Sequence, residues 1–307
     1  MSSLTPWTDS DWRTAATDRM NHALETAGHA PTGPAVEVAS SGRAWHLKIP
    51  TEQGMTWVKH CYRLPPGEEQ VLEPLVQRWP ELMPQVIATW EGGFATAQLP
   101  GAELQEDAPV EHWTAAARAL ATMARGERDH VQTWLDLGVR DRRPASWAPA
   151  VEALLASPVM RALPADELSQ FEHFVPEFIT RFVDAFAAPA TLVPQDSGCC
   201  NIHVHEGGVV LYDWADVVIG HPVFSCDRLL DQVPRDLHDD VIDAFLEPLE
   251  LERGEYDAMR RSNVLHEVLR YHDELAYMSS DHPNHAKLAE AARSQVVVLT
   301  TFEASRH

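Results

Sequence analysis

A short polar segment, Asp196-Ser-Gly-Cys-Cys-Asn201, follows an apolar run and precedes Tyr212-Asp213-Trp214. A carboxylate just beyond the end of a strand is held well enough to orient a hydroxyl nucleophile, and Asp196 is our candidate for that role. Asn201 offers a neutral oxygen, and Asp213 a carboxylate, to a hard cation such as Mg²⁺. A positioned carboxylate with two metal ligands can perform phosphoryl transfer, in which orientation and charge neutralisation supply most of the rate.

The residues between Asn201 and Asp213 indicate how the two metal-ligand candidates come together. Apolar and polar residues alternate in Ile202–His205 and in Val209–Tyr212, and Glu206-Gly-Gly208 joins the two runs. This pattern predicts a β-hairpin. Because the two ends of a hairpin lie side by side, Asn201 and Asp213 are predicted to reach one ion.

A basic residue that can bind phosphates lies earlier in the chain. Lys59 is part of the predicted strand Met55–Cys61, and a lysine on an inward strand face needs a carboxylate or phosphate partner. Glu68 and Glu69 open the next helical pattern, and by residue type either can supply the carboxylate. The alternative for Lys59 is an edge-strand position facing water.

Two further segments are candidates for contacts with a nucleotide. Ser41 and Gly42 lie in the connection between the first two predicted strands, where a loop covering phosphates would be placed. That connection has one glycine and does not match Gly-x-Gly-x-x-Gly, so a plain hairpin turn is the alternative. The extended backbone at Ala97 and Leu99 can present a carbonyl and an N–H group to the edge of an adenine.

The elements that must position these residues change character near residue 100. We predict an α+β fold with three parts: an N-terminal helical extension (1–34) packed on the next part, a nucleotide-binding N-lobe with a small antiparallel sheet and one helix (35–100), and a mainly α-helical C-lobe (101–307). The predicted strands are 36–39, 44–49, 55–61, 85–90 and 94–99. The predicted long helices are 8–28, 109–126, 130–138, 147–157, 165–187, 236–247, 255–279 and 284–304.

Composition limits the classes of partner. The formal net charge of −22 argues against nucleic acid or an anionic membrane as partner and mildly favours a cationic small molecule, with solubility of an acidic protein as the alternative explanation of the charge. Four cysteines without a Cys-x-x-Cys spacing indicate neither a disulfide framework nor a zinc site. Because the sequence has neither an apolar signal core nor a membrane-length apolar run, we expect a cytoplasmic protein. We also expect a monomer or a homodimer.

Together these motifs resemble the aminoglycoside phosphotransferase and choline kinase family of protein-kinase-like small-molecule phosphotransferases. The family's His-Gly-Asp-x-x-x-x-Asn loop corresponds to 194–201, where Pro194 replaces the histidine. Its Ile-Asp-Trp-x-Asp segment corresponds to 212–216, and the following Gly-[Asp/His]-Pro to 220–222. Trp57-Val-Lys59 matches the lysine strand, and Leu99-Pro-Gly101 matches the connector between lobes.

The resemblance implies a two-lobe kinase-like enzyme that moves the γ-phosphoryl group of ATP to a hydroxyl of a small molecule, either cationic, as an aminoglycoside or an amino alcohol is, or neutral, as a sugar is. It implies that Asp196 is the catalytic base, that Asn201 and Asp213 bind Mg²⁺, and that Lys59 contacts the α- and β-phosphates. By the family's spacing Glu68 is preferred over Glu69 as the partner of Lys59. Acids nominated for a cationic acceptor are Asp216, Glu267, Asp273 and Glu274.

Two alternatives use the same residues differently. Since Pro194 replaces a histidine that usually supports the loop, the chain can instead be a catalytically weak nucleotide-binding relative with a regulatory role. A hydrolase that pairs Cys199 or Cys200 with His203 or His205 is the other alternative. It leaves Lys59 and Asp213 without a role.

Overall fold

The structure is a computed structural model that describes residues 6–40, 44–61, 66–260, 263–276, 278 and 284–304. The chain forms two compact units. Unit 1 contains the residues up to Ala119 together with Asp196–Asp216, and unit 2 contains Leu120–Gln195 together with the residues from Val217 onward.

Unit 1 is built on a five-stranded antiparallel sheet with the strand order β1-β2-β3-β5-β4. Its strands are β1 Val36–Ser40, β2 Ala44–Thr51, β3 Gly54–Cys61, β4 Val86–Trp90 and β5 Gly93–Ala97. Lys59 lies in the middle of the sheet, opposite His46 on β2 and Phe94 on β5. The predicted small antiparallel sheet is confirmed, and Lys59 is on a central strand, not an edge strand.

Alternation along the strands gives this sheet two different faces. On one face, Trp45, Leu47 and Ile49 of β2 are buried against the N-terminal helix α1 (Ser10–Thr26). Helix α1 begins after Asp9, whose carboxylate accepts a hydrogen bond of 2.9 Å from the Trp12 N–H, as expected of an N-cap. The opposite face presents the alternate residues, which include Lys59.

A single helix, α2 (Glu68–Arg78), follows the sheet's third strand in the chain. Its first turn carries Glu68 and Glu69, and Gln70 closes the turn by accepting a hydrogen bond of 3.0 Å from the Gly67 N–H. The helix continues across Pro74. Helix α2 therefore places two acidic residues close to the end of β3.

A second sheet of unit 1 has the order β10-β9-β6 and contains β6 Ala102–Glu103, β9 Ile202–His205 and β10 Gly208–Leu211. Strands β9 and β10 form the hairpin predicted from the alternation, with Ile202 opposite Leu211. Gly208 has φ 134°, a value that side chains with a Cβ rarely adopt. Because β6 pairs with β9, residues beyond 100 belong to unit 1, and the unit boundary differs from the predicted lobe boundary at residue 100.

Unit 2 is mainly helical. The described helices, of which the first begins in unit 1, are α3 Val110–Gly126, α4 Val131–Leu137, α5 Pro144–Leu155, α6 Pro158–Arg161, α7 Ala165–Ala185, α8 Val223–Leu230, α9 His238–Leu249, α10 Arg253–Arg260, α11 Asn263–Ala276 and α12 His285–Ala304. A small sheet of order β7-β11-β8 contains β7 Arg140–Asp141, β8 Thr191–Pro194 and β11 Val217–Gly220. Within the described part of the chain, no helix is both long and apolar enough to cross a lipid bilayer.

Unit 1 contains a buried histidine that makes its stability sensitive to acid. His60 is 2% exposed, and its ring stacks on Trp45 with 5.4 Å between ring centroids. Burial, with a smaller effect from Arg19, lowers the pKa of His60 to about 4. Because this folded pKa lies below the unfolded value of about 6.5, His60 stabilises the fold above pH 6.5, and that contribution is lost as the pH falls through 6.5 to 4.

We predict that His60→Phe reduces the loss of unfolding free energy between pH 7 and pH 4.5 by up to about 3 kcal/mol, because no imidazole then has to be protonated. Urea unfolding at both pH values measures this difference. His22→Gln, at an exposed histidine of α1, is the control and is expected to keep the wild-type pH dependence. An unchanged pH dependence in His60→Phe contradicts the prediction.

Candidate active site

Three charged side chains meet on the face of the five-stranded sheet that is opposite α1. Lys59 Nζ lies 2.6 Å from Glu68 Oε2 and 2.7 Å from Asp213 Oδ1. Strand β3 supplies the lysine, α2 the glutamate, and the segment after β10 the aspartate. Elements far apart in sequence therefore bring the predicted phosphate-binding lysine to one of the two predicted metal ligands.

Burial and charge act in opposite directions on this group. The side chains of Lys59 and Glu68 are 11% and 1% exposed, whereas that of Asp213 is 39% exposed. Burial disfavours the charged lysine, but Asp213 and Glu68 outweigh burial and hold the pKa of Lys59 well above its usual value. The lysine is therefore a fixed positive charge at neutral pH, and Asp213 is the member of the group that reaches solvent.

The structure distinguishes between the two glutamates of the first turn of α2. Glu68 contacts Lys59, and its other oxygen accepts a hydrogen bond of 2.9 Å from the Trp214 N–H. Glu69 instead accepts a hydrogen bond of 3.2 Å from the Gly92 N–H. Glu68 thus ties the lysine strand to the residue that directly follows Asp213.

The segment from Asp196 to Asn201 is a tight loop. Asn201 is buried, and its side-chain nitrogen donates a hydrogen bond of 2.7 Å to the backbone carbonyl of Asp196. The Asn201 carbonyl in turn accepts a hydrogen bond of 3.1 Å from the Tyr212 N–H, and the Tyr212 hydroxyl donates to the Cys200 carbonyl. Asp196, Asn201 and the residue before Asp213 are therefore joined by one hydrogen-bonded network.

Asp213 has an uncommon backbone conformation. Its φ is 62°, in the left-handed region that residues other than glycine seldom occupy, although Asp tolerates it better than most. The turn directs the side chain to Lys59. Non-glycine residues with such φ values cluster at functional sites, where the surrounding structure holds them in place.

A cavity of about 320 Å³ lies beside the charged group. Its lining includes Lys59, Glu68 and Asp213 together with apolar side chains such as Phe94 and Leu99. A largely apolar cavity with a few convergent charged groups has the character of a small-molecule site. All of its lining residues belong to unit 1.

The two residues proposed to contact an adenine edge differ in what they offer. The Ala97 N–H donates a hydrogen bond of 2.9 Å to the Gln85 carbonyl, so it is not available to a ligand. Leu99 lines the cavity, and Ala97 is absent from the lining. Of the phosphate-loop candidates, Ser41 and Gly42 lie outside the described residues.

Sequence reasoning missed Trp57 as a site residue. Its side chain lines the cavity, and its indole N–H donates a hydrogen bond of 2.9 Å to Gln98 Oε1. The Lys48 ammonium lies 4.0 Å from the centre of its ring. The signal was present in the sequence, because Trp57 is two residues before Lys59 on one strand and the two side chains therefore share a face.

Three of the four acids nominated for a cationic acceptor are paired with arginines inside unit 2. Asp273 binds Arg140 with an N···O distance of 2.9 Å and also contacts Arg142. Arg270 binds both Glu267 and Glu274 with N···O distances of 2.9 Å. Their charge is neutralised locally, so this face of α11 does not have the acidic character expected from the sequence.

The histidines required by the hydrolase alternative make other contacts. His203 Nδ1 lies 3.2 Å from the Pro100 carbonyl, and His205 Nδ1 accepts a hydrogen bond of 3.0 Å from the Gly207 N–H. Among the residues that the structure describes, no cluster of three or more His, Cys, Asp or Glu side chains could hold a metal ion. The contacts of these two histidines therefore give no support to a Cys/His pair.

Comparison with solved structures identifies proteins with the same fold. The chain superposes on a type I macrolide 2'-phosphotransferase with a TM-score of 0.63, at 14% identity over 92% of this chain and 97% of that one. A choline/ethanolamine kinase family protein from Mesorhizobium loti gives a TM-score of 0.61, at 15% identity over 92% and 94%. An ADP-bound aminoglycoside phosphotransferase gives 0.59, at 14% identity over 92% and 98%.

The chain matches these proteins by its three-dimensional structure and not by its sequence. No protein-family model and no curated protein sequence matches the chain. The structural neighbours nevertheless belong to the groups that the motifs resembled, so that resemblance is confirmed at the level of fold. The chain has the protein-kinase-like α+β fold that macrolide and aminoglycoside phosphotransferases and choline/ethanolamine kinase family proteins share.

Proposed function

We propose that this protein transfers the γ-phosphoryl group of ATP to a hydroxyl of a small molecule. The observation that carries the proposal is the contact of Lys59 with both Glu68 and Asp213 at the wall of a cavity. A buried lysine held between two carboxylates, one of them half-exposed, is suited to a nucleotide that brings both phosphates and a metal ion. An aminoglycoside phosphotransferase with the same fold was solved with ADP.

The cavity provides places for the parts of a nucleotide. We assign the base to the end lined by Trp57 and Leu99, where an indole face can stack on a purine. Leu99 would donate its N–H to the base, while Ala97 can contribute its carbonyl only. Lys59 would bind the α- and β-phosphates at the opposite end. Ser41 and Gly42 remain candidates for covering the phosphates.

The donor set fits Mg²⁺. Asn201 uses its side-chain nitrogen to bind the Asp196 carbonyl, which leaves its oxygen as the atom for a cation. Asp213 would contribute a carboxylate, and its side chain is 39% exposed. Mg²⁺ is commonly bound by one or two protein oxygens together with phosphates and water, and it would neutralise charge on the transferred group.

Asp196 is assigned the role of the base that orients the acceptor hydroxyl and takes its proton. One hydrogen bond joins its backbone carbonyl to the side chain of Asn201, so the backbone of the proposed base is held next to the proposed metal ligand. We propose as acceptor an aminoglycoside, a macrolide, an amino alcohol or a sugar, each of which carries hydroxyl groups; the phosphotransferases and kinase-family protein that share the fold support this range.

A screen of acceptors tests the proposed function. ADP release would be followed with aminoglycosides, macrolides, choline, ethanolamine, homoserine and simple sugars, using MgATP and, in parallel, MgGTP. We expect at least one hydroxyl acceptor to raise nucleotide turnover at least tenfold over the acceptor-free rate. Nucleotide binding without turnover on any acceptor would instead favour the regulatory alternative that Pro194 motivates.

Trp57 is predicted to report nucleotide binding. Stacking on an aromatic side chain contributes about 1–3 kcal/mol per base, so Trp57→Ala should weaken ATP binding about 5- to 100-fold and Trp57→Phe much less. Fluorescence titration of the wild type should show a change of tryptophan emission on ATP binding that is lost in Trp57→Phe. Equal affinities for ATP in the wild type and Trp57→Ala would contradict this placement of the base.

A further inference from the structure

The chain segment directly before Asp196 is held by two buried polar side chains. Gln195 and His266 are 2% and 1% exposed, and Gln195 Nε2 lies 2.9 Å from His266 Nε2. Gln195 connects the end of β8 to Asp196, and His266 is part of α11. Both side chains belong to unit 2.

The charge state of His266 determines the direction of this hydrogen bond. Burial, followed by the charges of Arg142 and Arg270, lowers the pKa of His266 well below its usual value, so the ring is neutral at pH 7. A neutral imidazole has one acceptor nitrogen, and an amide nitrogen can only donate. With the Gln195 amide oriented as in the structure, His266 Nε2 accepts and the ring proton is on Nδ1.

Packing fixes the orientation of the His266 ring. It stacks on Phe224 of α8 with 4.0 Å between ring centroids and an interplanar angle of 21°. Phe224 in turn stacks on Phe182 of α7, with 6.1 Å between centroids. The acceptor nitrogen is therefore presented to Gln195 by a rigid aromatic stack.

The opposite side of Asp196 is held by a different bond. The Asp196 carbonyl accepts from the Asn201 side chain at 2.7 Å. Pro194 has neither an N–H group nor a polar side chain, so it cannot donate to another part of the fold. The polar side-chain anchor next to Asp196 on its N-terminal side is thus Gln195, and its described partner is His266.

We propose that His266, acting through Gln195, is a positioning residue that keeps Asp196 in the place required for phosphoryl transfer. The hydrogen bond between Gln195 and His266 holds the loop through a side chain, which Pro194 cannot do. His266 itself touches neither substrate nor metal in this assignment. The effect on activity rests on the proposed function, whereas the effect on the loop does not.

Three variants separate positioning from ordinary structural support. His266→Phe keeps the aromatic stack and removes the acceptor, leaving the buried Gln195 amide without a partner. Gln195→Leu combined with His266→Phe removes both polar groups, so no buried amide is left without a hydrogen-bond partner. His266→Gln restores an oxygen that can accept from Gln195. Each is compared with the wild type for melting temperature, kcat, nucleotide KM and hydrogen exchange of residues 195–201.

We expect His266→Phe to lower kcat about 10- to 100-fold with nucleotide KM changed less than twofold, because a displacement of about 1 Å at a reacting group costs this much. Exchange of the loop amides should become at least tenfold faster. The double variant should recover the melting temperature but not kcat, and His266→Gln should recover part of kcat.

Two results would overturn the proposal. One is an unchanged kcat and loop exchange in the double variant; the other is a kcat that returns together with the melting temperature, which would show structural support only. If the wild type transfers no phosphoryl group to any acceptor, the proposed function fails by itself. Loop exchange then still decides whether His266 holds the segment.

Discussion

Replacing Asp196 by Asn is expected to lower kcat for phosphoryl transfer by about 10²- to 10⁴-fold, the range that a positioned general base contributes. The substitution keeps the size of the side chain and leaves the Asp196 carbonyl available to Asn201. Folding and nucleotide affinity should therefore stay close to those of the wild type. The loss would appear in the chemical step, measured by product formation under saturating nucleotide and acceptor.

Glu206→Gln is the matched control for this variant. Glu206 lies in the exposed turn of the β9–β10 hairpin, on the same segment of unit 1, and removing its charge should leave kcat unchanged. A kcat for Asp196→Asn within threefold of wild type would show that Asp196 is not the base. An equal loss in both variants would point to a general effect of removing negative charge.

Replacing Lys59 by Met is expected to damage both stability and activity. It leaves Glu68, which is 1% exposed, without its positive partner, and breaking a buried ion pair from one side costs about 3–5 kcal/mol. It also removes the proposed phosphate contact, so kcat/KM for the nucleotide should fall by about 10² or more. Urea unfolding and steady-state kinetics measure the two effects separately.

Two further variants separate the effect of Lys59→Met on stability from its effect on activity. Lys48→Met removes a lysine from the neighbouring strand on the same sheet face, where it contacts Trp57, and should retain most of the stability and activity. Lys59→Met combined with Glu68→Gln neutralises the buried acid while keeping an acceptor for the Trp214 N–H, so stability should largely return. Recovery of activity in that double variant would contradict a phosphate-binding role for Lys59.

The fold, and the strands and hairpin that carry the candidate site residues, were accessible from the sequence because they depend on local patterns. Alternation of apolar residues predicted β3, and therefore the inward position of Lys59. The same period in β9 and β10 predicted the hairpin that brings Asn201 next to the chain segment of Asp213. The alternating pattern predicts these strands reliably because the buried face of a strand fixes the register with which it pairs.

Other features could not be predicted because they depend on tertiary contacts. Residue type does not distinguish Glu68 from Glu69 in the same first turn; the family's spacing favoured Glu68, and the packing of α2 places Glu68 against Lys59 and Glu69 against Gly92. Strand β11 is four buried residues without a polar–apolar period, so it carried no signal. The pairing of Asp273 with Arg140, and of Gln195 with His266, joins residues that are far apart in the sequence.

The proposed transfer of a phosphoryl group from a nucleotide to a small hydroxyl compound can be followed directly through its product. The most direct measurement is ³¹P NMR of wild-type protein with MgATP and the best acceptor from the screen. We predict a new phosphate-monoester signal that grows in proportion to ADP and is absent with Asp196→Asn. Formation of ADP with inorganic phosphate alone, or the same product signal with Asp196→Asn, would contradict the account.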